Sequence, residues 1–173
     1  MNPDSFNLAA ATGDLKTVAR MLAANNALVF GTDYKGLTAL HEAAYWGNKE
    51  VVELLLEKKA EVDARDQDGR TPLHRAAKEG CRDVAKILLM KGADVNARMN
   101  DGASPLHLAA SEGHTDVAET LIAHGAHINA KTYNLLETPL HLAIENEWHD
   151  MGTLLLRNGG RDESIDDLRQ DSI

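Results

Sequence analysis

Apolar residues along this chain fall in short stripes that return at a fixed interval. Val51, Leu54 and Leu55, then Val84, Ile87 and Leu88, then Val117, Thr120 and Leu121 stand at i, i+3 and i+4. That spacing lines one face of a helix. Ahead of each stripe lies a second segment whose apolar positions are small: Ala43–Ala44, Ala76–Ala77 and Ala109–Ala110. Thr38, Thr71 and Ser104 precede it, placed to cap a helix by accepting a backbone N–H bond. Pro72, Pro105 and Pro139 take the first helical position, where a missing N–H costs nothing. Gly47, Gly80 and Gly113 end the first helix, and Gly92 and Gly125 end the second. Gly36, Gly69 and Gly102 mark the turn that opens each unit. The predicted unit is therefore turn, helix, turn, helix, and neither helix can bury its faces within one unit.

The unit recurs every 33 residues: DYKGLTALHEAAYWGNKEVVELLLEKKAEVDAR over 33–65, DQDGRTPLHRAAKEGCRDVAKILLMKGADVNAR over 66–98 and MNDGASPLHLAASEGHTDVAETLIAHGAHINAK over 99–131. A looser copy begins at Thr132 and a degenerate one at Asn7, with Phe6–Asn7 in the Leu–His positions. A 33-residue period built on T-P-L-H-x-A resembles the ankyrin repeat family over nearly the whole chain. The resemblance implies an all-α ankyrin repeat solenoid of stacked helix-turn-helix units with β-turn or hairpin fingers. It divides the chain into one domain, 1–164, with an N-terminal cap at 1–32, repeats at 33–65, 66–98 and 99–131, a C-terminal cap at 132–164, and a polar tail at 165–173. Departures from the pattern stand out. Lys59 and Glu147 occupy positions held elsewhere by helix-ending glycines, and the last turn, TYNLLE, has an extra residue and no glycine. Phe6 and Phe30 read as packing residues of the N-terminal cap.

Composition narrows the class. Apolar residues make up 43% and aromatics only 4%, as expected of thin Ala/Leu/Val layers with little room for rings. The single cysteine, Cys81, excludes an internal disulfide framework and fits a reducing compartment. No apolar run approaches the ~20 residues of a membrane span, and the N-terminus does not read as a signal peptide. A cytoplasmic protein is expected, with the nucleus open to it in a eukaryotic host. Net charge is −9, distributed as 0, −2, +2 and −9 over 1–32, 33–65, 66–98 and 99–173. That acidic half argues against nucleic-acid binding, which needs clustered cations.

No catalytic residue, metal site or cofactor is expected. His41, His74, His107 and His141 belong to the repeated T-x-L-H element, where the resemblance implies a structural link between neighbouring repeats. His114, His124 and His127 read as surface histidines, because no Cys or carboxylate completes a spacing typical of zinc. Cys81 follows Gly80 with only Arg82 nearby to lower its pKa. The resemblance places function in a concave groove, on positions the repeat leaves free. Five of the seven aromatics fall at variable or loop positions: Tyr34, Tyr45, Trp46, Tyr133 and Trp148. Trp148 either serves a partner or shields the exposed end of the stack, and the same choice holds for Leu135 and Leu136. Tyr34, Lys35, Tyr45, Trp46, Arg70, Arg75, Lys78 and Tyr133 form the expected site for a protein partner with an acidic and apolar surface. The function so implied is non-catalytic recognition by a monomer, as scaffold, adaptor or inhibitor. The second reading is a regulatory subunit or effector whose partner carries the catalysis. Asn96, with Leu88, also resembles the pattern around a hydroxylated asparagine in such repeats.

Overall fold

The computed structural model describes residues 3–161 and places ten α-helices there. They are α1 (Pro3–Ala11), α2 (Leu15–Ala24), α3 (Ala39–Tyr45), α4 (Lys49–Glu57), α5 (Pro72–Lys78), α6 (Arg82–Met90), α7 (Pro105–Ser111), α8 (Thr115–Ala123), α9 (Pro139–Glu145) and α10 (His149–Arg157). A 3-10 turn at Asn26–Phe30 follows α2. Residues 165–173, expected as a polar tail, lie outside the described residues. Each odd-numbered helix packs on its even-numbered successor, and the pairs stack in chain order. The odd-numbered helices approach one another more closely than the even-numbered ones do. Fully buried alanines such as Ala43, Ala44, Ala76, Ala77, Ala109 and Ala110 permit that approach. The odd-numbered helices thus line the more closely spaced side of the stack, where the resemblance puts the concave groove.

The core runs as one ribbon through all five layers. Leu40, Leu73, Leu106 and Leu140 from the first helices meet Leu55, Leu88, Leu121 and Leu155 from the second, each 1% exposed or less. Phe6 fills the N-terminal layer at 0% exposure, whereas Phe30 is 59% exposed. The expectation that Phe30 is a packing residue is therefore corrected: Leu28 and Val29 face inward from the 3-10 turn in its place.

Two devices fix the first helices. Thr38, Thr71 and Ser104 each form a capping box with the histidine three residues on. Within each box, Nδ1 of His41, His74 or His107 accepts the backbone N–H of the cap residue at 3.1 Å. Nε2 must then carry the proton, and it donates across the layer to the carbonyls of Arg70, Ala103 and Glu137 at 3.0, 3.2 and 3.1 Å. These histidines are therefore the inter-repeat links that the sequence implied. In the first layer the Asn7 amide replaces them, donating to the Leu37 carbonyl at 2.8 Å.

Among the described residues the only bridge is the isolated Thr32–Thr38 pair. The turns nonetheless join edge to edge: Gln67, Asn100 and Tyr133 donate backbone N–H bonds to the carbonyls of Lys35, Asp68 and Asp101 at 3.0, 3.0 and 2.7 Å. Asp33 and Asp66 brace their turns by accepting two backbone N–H bonds each.

Lys59 adopts φ 72°, in the left-handed region where Gly92 and Gly125 sit at 90° and 88°. A side chain costs about 1–2 kcal/mol there. Lys59→Gly should therefore stabilise the protein by about 1 kcal/mol, the remainder being offset by glycine's greater freedom when unfolded. Urea melts of the two proteins measure this, and an equal or lower midpoint for the variant contradicts it.

Candidate functional site

The turn preceding α3, the turn preceding α5 and the exposed face of both helices enclose an open cavity of about 440 Å³. Lys35, Leu37, Glu42, Asp66, Gln67, Asp68, Arg70 and Arg75 line it. Three of the eight residues expected from the sequence, Lys35, Arg70 and Arg75, thus share one concavity. Their charge is matched locally by Glu42, Asp66 and Asp68. Arg70 pairs with Asp68 at 2.7 Å, and Arg75 reaches Glu42 at 3.4 Å. An uncompensated basic spot is therefore not what the fold builds. The cations are held in place by carboxylates that an incoming acid would have to share or displace.

Arg75 is the hub of this region. Its side chain is only 14% exposed, its guanidinium carbon lies 4.5 Å from the centre of the Tyr45 ring, and its buried Nε has no hydrogen-bond partner. A cation over an aromatic face is held electrostatically by the ring quadrupole. Tyr45 meets Trp46 edge-on with ring centres 5.1 Å apart. The Glu79 carboxylate beside Tyr45, followed by burial, raises the pKa of its phenol, so the hydroxyl stays a donor. Trp46 caps α3 and is 61% exposed, and Tyr34 is 80% exposed with the Lys35 ammonium 5.4 Å from its ring centre. Seen together, Tyr34 with Lys35, the cavity, and Arg75 with Tyr45 and Trp46 make a continuous mixed surface across two layers.

Two expected residues stand apart. Lys78 is exposed at the end of α5, outside the cavity lining. Tyr133 belongs to the last turn, where its ring lies over Gly102: a Cβ there would come within 2.7 Å of Tyr133 Cδ1. Leu135 and Leu136 protrude from the same turn, 74% and 61% exposed, and Leu136 is left-handed at φ 57°.

The sequence reading missed a second ladder, formed by the residue that caps each second helix. Asn48 donates to the Ala10 and Ala11 carbonyls, His114 to Lys78 and Trp148 to Ser111, at 2.8 to 2.9 Å. Cys81 points to the Tyr45 carbonyl at 3.6 Å. Each side chain reaches back over the glycine that ends the preceding first helix. At Gly113 a Cβ would fall 2.5 Å from the Trp148 ring, so only glycine admits that indole. Trp148 is thereby fixed to the layer before it. Four donors one residue after a helix-ending position were visible in the sequence, but their chemical variety hid the common role.

The other residues singled out for their chemistry are engaged in local contacts. Burial, and then the charge of Glu79, raises the Cys81 pKa, which disfavours the reactive thiolate. His124 bonds through Nδ1 to the Thr120 carbonyl within α8. Asn96 is held at both ends of its amide, donating to the Gly125 carbonyl at 3.1 Å and accepting the His127 N–H at 2.8 Å. Asn129 repeats this with Gly159 and Arg161. No helix among the described residues is long and apolar enough to cross a membrane.

Layered helix pairs, cross-linked by side-chain ladders and presenting their variable residues at the surface, define a helical-repeat protein. The family model for ankyrin repeats (3 copies) matches residues 6–99, 61–132 and 97–167, and the chain belongs to that family. Repeats of this kind are generally non-catalytic modules for protein–protein interaction. No curated protein matches the chain.

Proposed function

We propose that this protein recognises a partner protein, without catalysis, through the concave side of its second and third helix pairs. The observation that carries this reading is the exposed Trp46 set against a half-buried Tyr45, whose ring lies beside Arg75 at the rim of a charged cavity. Trp, Tyr and Arg are the residues that most often dominate binding energy at protein interfaces. The partner presents apolar groups to Tyr34, Tyr45 and Trp46 and a carboxylate to Lys35, Arg70 and Arg75, with Lys78 at the rim. Tyr133 extends the surface toward the last turn. The domain is residues 1–164, acting as a monomer in the cytoplasm, as scaffold, adaptor or inhibitor.

The test begins with affinity purification and mass spectrometry to identify a binding protein. Trp46→Ala should then weaken its affinity by about 2 kcal/mol or more, while the melting temperature barely moves because the side chain is largely exposed. Lys78→Glu should chiefly slow association and flatten its salt dependence, since rim charges act on encounter. A verified partner that binds the Trp46→Ala, Arg75→Glu double variant with unchanged affinity rejects this surface, and the exposed turn from Tyr133 to Leu136 becomes the alternative.

A further inference from the structure

We propose that Glu137, His141 and Glu145 form a binding site for a zinc-class divalent cation at the last repeat of the stack. One ligand atom from each of the three lies within 4.8 Å of the other two. Glu145 stands four residues after His141 on α9, hence on the same helical face, and Glu137 immediately precedes the cap residue Thr138. In the earlier units the position of Glu137 is held by Leu37, Arg70 and Ala103, and that of Glu145 by Tyr45, Lys78 and Ser111. His141 is thus the only histidine of the T-x-L-H series flanked by two carboxylates.

The cap is also arranged differently. In α3, α5 and α7 the cap hydroxyl closes on histidine Nδ1 at 2.8 to 2.9 Å. In α9 the Thr138 hydroxyl donates to the Arg161 carbonyl at 3.3 Å. The backbone of Glu137 is anchored meanwhile, its carbonyl accepting from His107 and its N–H donating to Thr132 Oγ1, both at 3.1 Å. Its carboxylate therefore projects from a fixed point. Residues 99–161 carry eight acidic and three basic side chains, a charge of −5, a field that draws cations to this end of the molecule.

One imidazole nitrogen with two carboxylate oxygens suits Zn²⁺ and its first-row neighbours, whose bonds to such ligands run at about 2.0–2.2 Å. Ca²⁺ and Mg²⁺ prefer oxygen alone. Small rotamer shifts close donor atoms already this near around one ion. Three protein ligands leave a fourth position for water or for a side chain of a bound molecule. The site does not depend on the groove assigned above.

Isothermal titration of the untagged full chain with Zn²⁺ should read one equivalent bound in the micromolar range. His141→Ala and Glu145→Gln should each weaken it about tenfold or more, and the His124→Ala, His127→Ala double variant should bind as the parent does. Circular dichroism confirms that each variant folds. Glu145 is exposed, so its isosteric amide tests the site without disturbing packing. Unchanged affinity in either His141→Ala or Glu145→Gln overturns the proposal. So does a loss of binding in the His124/His127 double variant, or Ca²⁺ bound as tightly as Zn²⁺.

Discussion

Leu88→Ala should destabilise the protein by about 4 kcal/mol, and the same change at Leu155 by roughly half as much. Both side chains are 0% exposed, so burial alone predicts equal losses. Their neighbours differ. Leu88 lies on α6, which packs against α4 and α8 as well as its own partner α5. Leu155 lies on α10, which meets α8 on one side and its partner α9, with no described helix beyond it. A cavity in the middle of the stack weakens two interfaces at once, whereas the end layer opens locally at lower free energy. Urea melts of the two variants measure the difference. Equal losses, or a larger loss at Leu155, would contradict nearest-neighbour stacking as the source of stability.

The layers were legible in the sequence because each repeats its own signals. Thr71, Pro72 and Gly80 bound α5, and Val84 and Leu88 face inward on α6, as their spacing predicts. The pairing of surface groups was not legible. Arg70 and Arg75 read as contacts for an acidic partner, yet Asp68 and Glu42 already pair with them, selected by turn geometry and by stacking across a 33-residue interval. Trp148 read as an aromatic for a partner or for covering the stack's end, and neither reading anticipated that it also docks backward onto Gly113. Phe30 read as core because it is large and apolar, but the 3-10 turn points it outward. His141 shared the motif of its three counterparts, so its two carboxylate neighbours escaped notice. Periodic features survive reading by analogy between copies, and features peculiar to one copy do not.

Stability should fall steeply on mild acidification, well above the pH at which carboxylates are usually protonated. Desolvation, the largest influence on each, lowers the pKa of His41, His74 and His107, to about 4 in the latter two. The Nδ1 atoms that protonation would use already accept cap N–H bonds. In the unfolded chain these groups titrate at the ordinary value of 6.5. Above that pH both states are neutral and the full stability is present. Between 6.5 and about 4 the unfolded state takes up protons that the native state refuses, so stability is lost as pH falls. At pH 5 the loss is about 2 kcal/mol for each of His74 and His107, with His41 adding in the same direction. Asp63 opposes this weakly, because burial raises its pKa and its protonation relieves a cost of folding. Urea melts at pH 7.5 and pH 5.0 should therefore differ by about 4 kcal/mol or more, a large share of a marginal total. NMR titration should show the His74 and His107 rings neutral at pH 5. Stabilities that agree within about 1 kcal/mol, or ring signals that titrate near 6.5 in the native state, would mean that this ladder is not closed in solution.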